Sequence, residues 1–106
     1  MGLFDRFKPK DINLGIKEYE SVPGAVLLDV RTSQEYREGH IPKSKNVPLQ
    51  MIEQIISVAD SKQTPLYVYC YSGSRSSQAV TVLKHMGYRN VSNIGGIASY
   101  SGKMEY

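Results

Sequence analysis

The residues best suited to do chemistry in this 106-residue chain are Cys70 and the loop after it, Tyr71, Ser72, Gly73, Ser74, Arg75 and Ser76, which reads as an anion-binding loop. A lone cysteine excludes an intrachain disulfide framework, and it supplies no CxxC pair for zinc or thioredoxin-like redox work. Cys70 follows the apolar run Leu66-Tyr67-Val68-Tyr69 and precedes Tyr71-Ser72-Gly73-Ser74-Arg75-Ser76 and a helical pattern. That places it at the carboxyl end of a strand, where open α/β sheets bind their ligands. Gly73 allows a turn in which successive N–H groups face one centre, and the helix behind adds its positive end. Such a cradle favours an anion, including the thiolate that is cysteine's nucleophilic form. Arg75, permanently charged and forked, is placed to add to that field and to hold a sulfonate or phosphate. Nothing in the loop resembles a general base, which fits a nucleophile already ionised by its surroundings.

The elements that must position this loop follow from pattern. Leu14 to Glu20 reads as a helix stopped near Pro23-Gly24, and Ala25 to Val30 as a strand apolar on both faces. Thr32 and Glu35 form a capping-box pattern for a short helix ending at Gly39, followed by a turn at His40-Ile41-Pro42. Asn46 to Pro48 reads as a short extended piece. Met51 to Ala59 reads as a helix with Ile52, Ile55, Ile56 and Ala59 on one face. After the polar connection from Asp60 to Thr64, Leu66 to Tyr69 is a core strand. Ser76 to Met86 is an amphipathic helix with Ala79, Val80, Leu83 and Met86 inward, closed by Gly87. Val91 to Ile94 is a further strand ending at Gly95-Gly96. Strands spaced by helices predict an α/β fold: right-handed crossovers and a mostly parallel sheet with helices on both faces.

Four motifs in order, Asp29-Val30-Arg31, Glu35 to Pro42, Cys70 to Ser76 and Gly95-Gly96-Ile97, resemble the rhodanese family. The resemblance implies a single rhodanese-like domain over residues 1–106, its motif-bearing core about 12–100, with a central sheet of about five strands. It also implies sulfur transfer through a persulfide on Cys70. The donor would be a small sulfur anion such as thiosulfate, or a protein persulfide. The acceptor would be a thiol, with cyanide as its assay substitute. No metal or organic cofactor is implied. The chain departs from the family at Tyr71, where arginine is common, at Tyr100, where tryptophan is usual, and at Lys43-Ser44 in the turn after Pro42. Tyr71 bears on the donor more than on the reaction class.

Other polar residues read more plainly as scaffold. Asp29 and Arg31 stand where a strand end meets a helix start, and Arg31 with Glu35 is a natural ion pair. His40 is expected to hydrogen-bond its turn, His85 to lie on an exposed helix face, and Tyr67 and Tyr69 to be strand residues of the core. Gly95-Gly96 reads as a tight turn.

Two rival functions share these features. Phosphatases and arsenate reductases of related fold have five residues between cysteine and arginine. Here four intervene, Tyr71 to Ser74, a smaller cradle better matched to one sulfur atom. A non-catalytic persulfide-relay or docking module is the other rival.

Composition excludes further classes. The chain is 41% hydrophobic and 22% charged, as in ordinary soluble globular proteins. The net charge of +3 is spread along the chain rather than clustered for nucleic acid, and Arg6, Lys8 and Lys10 read as a solvated terminus. Gly2 lacks the Ser or Thr that myristoylation wants at position six, where Arg6 stands, and Met1 to Phe7 reads as a frayed terminus. No apolar stretch is long enough for a membrane span or secretory signal, so the expected location is cytoplasmic and the expected partners include neither nucleic acid nor membrane.

Overall fold

In a computed structural model that describes residues 10 to 106, the strands β1 (Val26–Asp29), β2 (Lys45–Asn46), β3 (Leu66–Cys70) and β4 (Val91–Gly96) form one sheet in the order β2-β1-β3-β4. All three pairings are parallel. Among the described residues the sheet has four strands, against the expected figure of about five. The extended piece foreseen at Asn46 to Pro48 pairs only through Lys45–Asn46, alongside Leu28 and Asp29. The readings on Met1 to Phe7, Gly2, Arg6 and Lys8 fall outside the described residues.

Parallel strands joined by crossovers need cover on both faces. Period-two alternation supplies the apolar side chains for it. Leu28, Leu66, Val68 and Cys70 face one layer, with Ile52, Ile55, Ala79 and Leu83. Leu27, Tyr67 and Tyr69 face the other, with Ile12, Ile94 and Ile97. Helix α3 (Ser74–His85) covers the first face beside a 3-10 segment, Leu49–Ser57, and α1 (Ile12–Ser21) covers the second against β3 and β4. Each fully buried Leu or Ile here contributes about 1.5–3 kcal/mol relative to exposure.

Helix α2 (Ser33–Glu38) begins as its sequence requires: the Thr32 side chain accepts from the Glu35 N–H at 3.2 Å, and Glu35 accepts from the Thr32 N–H at 3.0 Å. Gly39 ends it. The segment expected to be an α-helix from Met51 to Ala59 is instead a 3-10 helix that starts at Leu49 and departs from helical geometry at Met51. With three residues per turn, Ile52 and Ile55 share a face, while Ile56 is carried a third of a turn away. Ile56 is accordingly exposed rather than inward-facing. Among the described residues no helix is long and apolar enough to cross a membrane.

Candidate functional site

β3 ends on Cys70, opposite Gly96 at the end of β4. The chain then turns through Tyr71, Ser72 and Gly73 into α3, so Ser74, Arg75 and Ser76 form the first turn of the helix, which starts two residues earlier than its periodicity predicted. Gly73 is the N-cap and has φ +104°, a left-handed conformation that side-chain-bearing residues rarely adopt. Its N–H donates to Cys70 Sγ at 3.0 Å, and Ser76 Oγ lies 3.4 Å from the same sulfur. Tyr71, Ser72 and Ser74 face outward, Tyr71 with 56% of its surface exposed, whereas Ser76 is buried.

Gly96, the last residue of β4, acts by close approach rather than as a tight turn. A Cβ on Gly96 would stand 2.0 Å from the Tyr71 carbonyl oxygen and 2.6 Å from Ser72 Cα. The loop lies against the end of β4 because that atom is missing.

Burial raises the Cys70 thiol pKa. The Ser76 hydroxyl and the backbone amides of Ser76, Gly73 and Ser72 act the other way, and their hydrogen bonds prevail, so the net displacement is downward. Cys70 exposes 0% of its surface. A reactant reaches the sulfur only when the groups that cover it move aside.

Arg75 does not turn into the cradle. It is held bidentately by Glu35, with Nη1–Oε1 2.7 Å and Nη2–Oε2 3.1 Å. Arg75 and the capping contacts of Thr32 hold the Glu35 carboxyl at about 2, despite the opposing effect of burial. The ion pair expected between Arg31 and Glu35 is therefore not formed. Arg31 instead closes on Asp29 through Nε at 3.0 Å and Nη2 at 2.7 Å, and it donates to the Gly39 carbonyl. The reason is reach: Asp29 is fully buried at the end of β1 and needs a countercharge there.

His40 stacks on Tyr36 with centroids 3.7 Å apart. Its Nδ1 lies 2.8 Å from the Tyr36 carbonyl, and its Nε2 lies 3.2 Å from Glu105. Its backbone bridges Glu105, which brings the C-terminal segment beside the loop. A shallow groove there is lined by Tyr71, Glu35, Glu38, Ile97, Ala98 and Met104. A larger cavity lined by Glu18, Tyr67, Lys84 and Arg89 touches none of residues 70–76. Among the described residues, no cluster of His, Cys, Asp or Glu could hold a metal ion.

One residue of the site carried no motif signal. Asn93, a polar side chain between Val91 and Ile94, reaches from β4 to the Cys70 loop and bonds the Gly73 carbonyl and Ser76 Oγ. Its only trace in the sequence is a second polar residue, after Ser92, between Val91 and Ile94.

Residues 10–103 match the family described as Rhodanese-like domain. The adenylyltransferase and sulfurtransferase of the yeast Ogataea parapolymorpha is 33% identical over 97 residues, covering 91% of this chain but only 25% of its own length. The Escherichia coli thiosulfate sulfurtransferase PspE is 37% identical over 71 residues, which is 66% of this chain and 68% of that protein. A solved structure described as rhodanese with anions from E. coli superposes with a TM-score of 0.71 at 32% identity, covering 76% of this chain and 96% of that one. The chain thus spans a quarter of the yeast protein and about two thirds of the bacterial one. With the motifs, the parallel sheet and the cysteine loop in agreement, the chain belongs to the rhodanese-like domain family, whose general chemistry is rhodanese-type sulfur transfer.

Proposed function

We propose that this chain is a sulfurtransferase that carries a sulfane sulfur on Cys70, as one rhodanese-like unit. The reading rests above all on the convergence of the Gly73 N–H and the Ser76 hydroxyl on Cys70 Sγ. These donors favour negative charge on sulfur, whether thiolate or terminal persulfide, without a base to remove a proton. The Cys70 thiolate attacks the sulfane sulfur of thiosulfate or of a protein persulfide. A new S–S bond forms as the donor's S–S bond breaks, and sulfite or the donor thiolate leaves with the electron pair. An acceptor thiolate, or cyanide in an assay, then attacks the terminal sulfur and Cys70 leaves as thiolate. Entry requires the groups that cover the sulfur to move, since it is buried at rest.

The phosphatase reading is disfavoured by the Glu35–Arg75 pair, which occupies the guanidinium that a phosphate would need. Incubation with thiosulfate followed by intact-mass measurement decides the matter. The reading expects a gain of one sulfur that cyanide removes and that Cys70→Ser abolishes. Hydrolysis of an aryl phosphate with no sulfur uptake would overturn it.

A further inference from the structure

Asn93 stands on β4, outside the loop that surrounds Cys70, yet its carboxamide is engaged wholly with that loop and its neighbour. Nδ2 donates to the Gly73 carbonyl at 3.1 Å. Oδ1 accepts the Gly95 N–H at 3.0 Å and lies 2.8 Å from Ser76 Oγ. The orientation is fixed by groups with no choice: a backbone N–H can only donate and a carbonyl can only accept. Oδ1 must therefore face Gly95, and Ser76 must be the donor to it.

The Ser76 hydroxyl has one hydrogen and three acceptors within reach: Asn93 Oδ1 at 2.8 Å, the Gly73 carbonyl at 3.1 Å and Cys70 Sγ at 3.4 Å. While Cys70 is a thiol, that hydrogen rests on Asn93 and the S–H can donate to the Ser76 oxygen. When the sulfur is anionic, the hydrogen turns to it, and Oδ1 keeps its bond from Gly95. Two of the residues that donate to the sulfur, Gly73 and Ser76, are thus tied to Asn93, while the Ser72 amide is not.

We propose that Asn93 is a positioning residue for sulfur chemistry at Cys70, a clip from β4 that keeps Gly73 and Ser76 turned onto the sulfur. The proposal rests on the reading of Cys70 as the sulfur carrier. Asn93 acts only through its two neighbours.

Removing its side chain has two opposed effects. Loss of the acceptor weakens a neutral hydrogen bond present in the thiol state. Loss of the Nδ2 donor leaves the Gly73 carbonyl with the Ser77 N–H at 3.1 Å but without its tie to β4, which loosens a donor bonded to charged sulfur, and such charge-assisted bonds are roughly twice as strong. The second effect wins, so Asn93→Ala raises the Cys70 titration midpoint and leaves a smaller thiolate fraction below it. The charged groups around the loop stay in place: Arg75 of α3 with Glu35 of α2, and Asp29 of β1 with Arg31.

The chain has one cysteine, so ultraviolet absorbance of the thiolate, taken as a difference against Cys70→Ser to cancel the tyrosines, titrates Cys70 alone. The expected result is the upward shift in Asn93→Ala with faster amide hydrogen exchange at Gly73 and unchanged exchange in β1 and β3. Ser76→Ala also shifts upward, and the double variant shifts by less than the sum. A folded Asn93→Ala with the parental midpoint and parental Gly73 exchange overturns the proposal. Should that variant not fold, Asn93→Asp keeps both acceptor contacts and loses the donor to Gly73, and unchanged Gly73 exchange in it is equally fatal. Sulfur loading of the parent protein, read by intact mass, tests the underlying reading separately.

Discussion

Replacing Glu35 by Gln separates two jobs that this side chain performs. Its carboxylate caps α2 by accepting from the Thr32 N–H, and it holds Arg75 bidentately. Glutamine can still complete the capping box, so the substitution removes chiefly the charge. The folded-state value of about 2, against an ordinary 4.5, would correspond by linkage to about 3 kcal/mol in a buried pair. Both side chains are about a third exposed, at 31% and 34%, and solvent screening brings the expectation to about 1 kcal/mol. The sign follows from a depressed carboxyl: the contribution is whole above 4.5 and is lost as pH falls toward about 2. Urea unfolding should therefore show Glu35→Gln about 1 kcal/mol less stable at neutral pH, with the difference narrowing under acid. Freed of its carboxylate, Arg75 adds positive charge at the cradle, so KM for thiosulfate should fall even as stability does. An unchanged unfolding midpoint at neutral pH, or a deficit that persists undiminished in acid, refutes this account of the pair.

Gly96→Ala introduces a Cβ 2.0 Å from a backbone oxygen that cannot swing aside, so the loop must move away from β4. The expected cost is about 1–3 kcal/mol in denaturant unfolding, with sulfur loading slowed more than the stability loss explains. Asp29→Asn leaves the buried Arg31 guanidinium without its countercharge, and thermal or denaturant unfolding should show a loss of about 3–5 kcal/mol. Tyr69→Phe removes a buried hydroxyl that accepts from the Ile41 N–H at 3.2 Å and donates to Ser44 Oγ at 3.1 Å, a loss of about 1–2 kcal/mol by the same measurement.

What was legible in the sequence was local. The run from Leu66 to Tyr69 announces a covered strand, Gly73 announces the turn after it, and Thr32 with Glu35 announces a helix start, because each signal is complete within a few residues. What was not legible was pairing at a distance. Glu35 meets Arg75 across 40 positions, and no spacing rule points there, whereas Arg31 four residues away offered an obvious but wrong partner. Ile56 was misplaced for a related reason: apolar spacing alone does not distinguish 3.6 residues per turn from three in so short a segment. Asn93 matters through backbone groups, Gly73 O and Gly95 N–H, that the sequence does not display.

The arrangement bears on what kind of electrostatics holds sulfur in this fold. Both arginines near the loop are taken by carboxylates, Arg75 by Glu35 and Arg31 by Asp29. The hydrogen bonds that reach Cys70 come from neutral dipoles, the Ser76 hydroxyl and the amides of Ser76, Gly73 and Ser72. Fixed dipoles in contact with a covered atom are little affected by dissolved ions, whereas a partly exposed guanidinium is screened within a Debye length of about 10 Å at 0.1 M salt. The Cys70 titration midpoint should therefore change little as salt is raised in the parent protein. In Glu35→Gln, where Arg75 is released, the midpoint should begin lower and climb with salt. A parent midpoint that climbs just as steeply would mean that unpaired positive charge, rather than the backbone around Gly73, is what holds the thiolate.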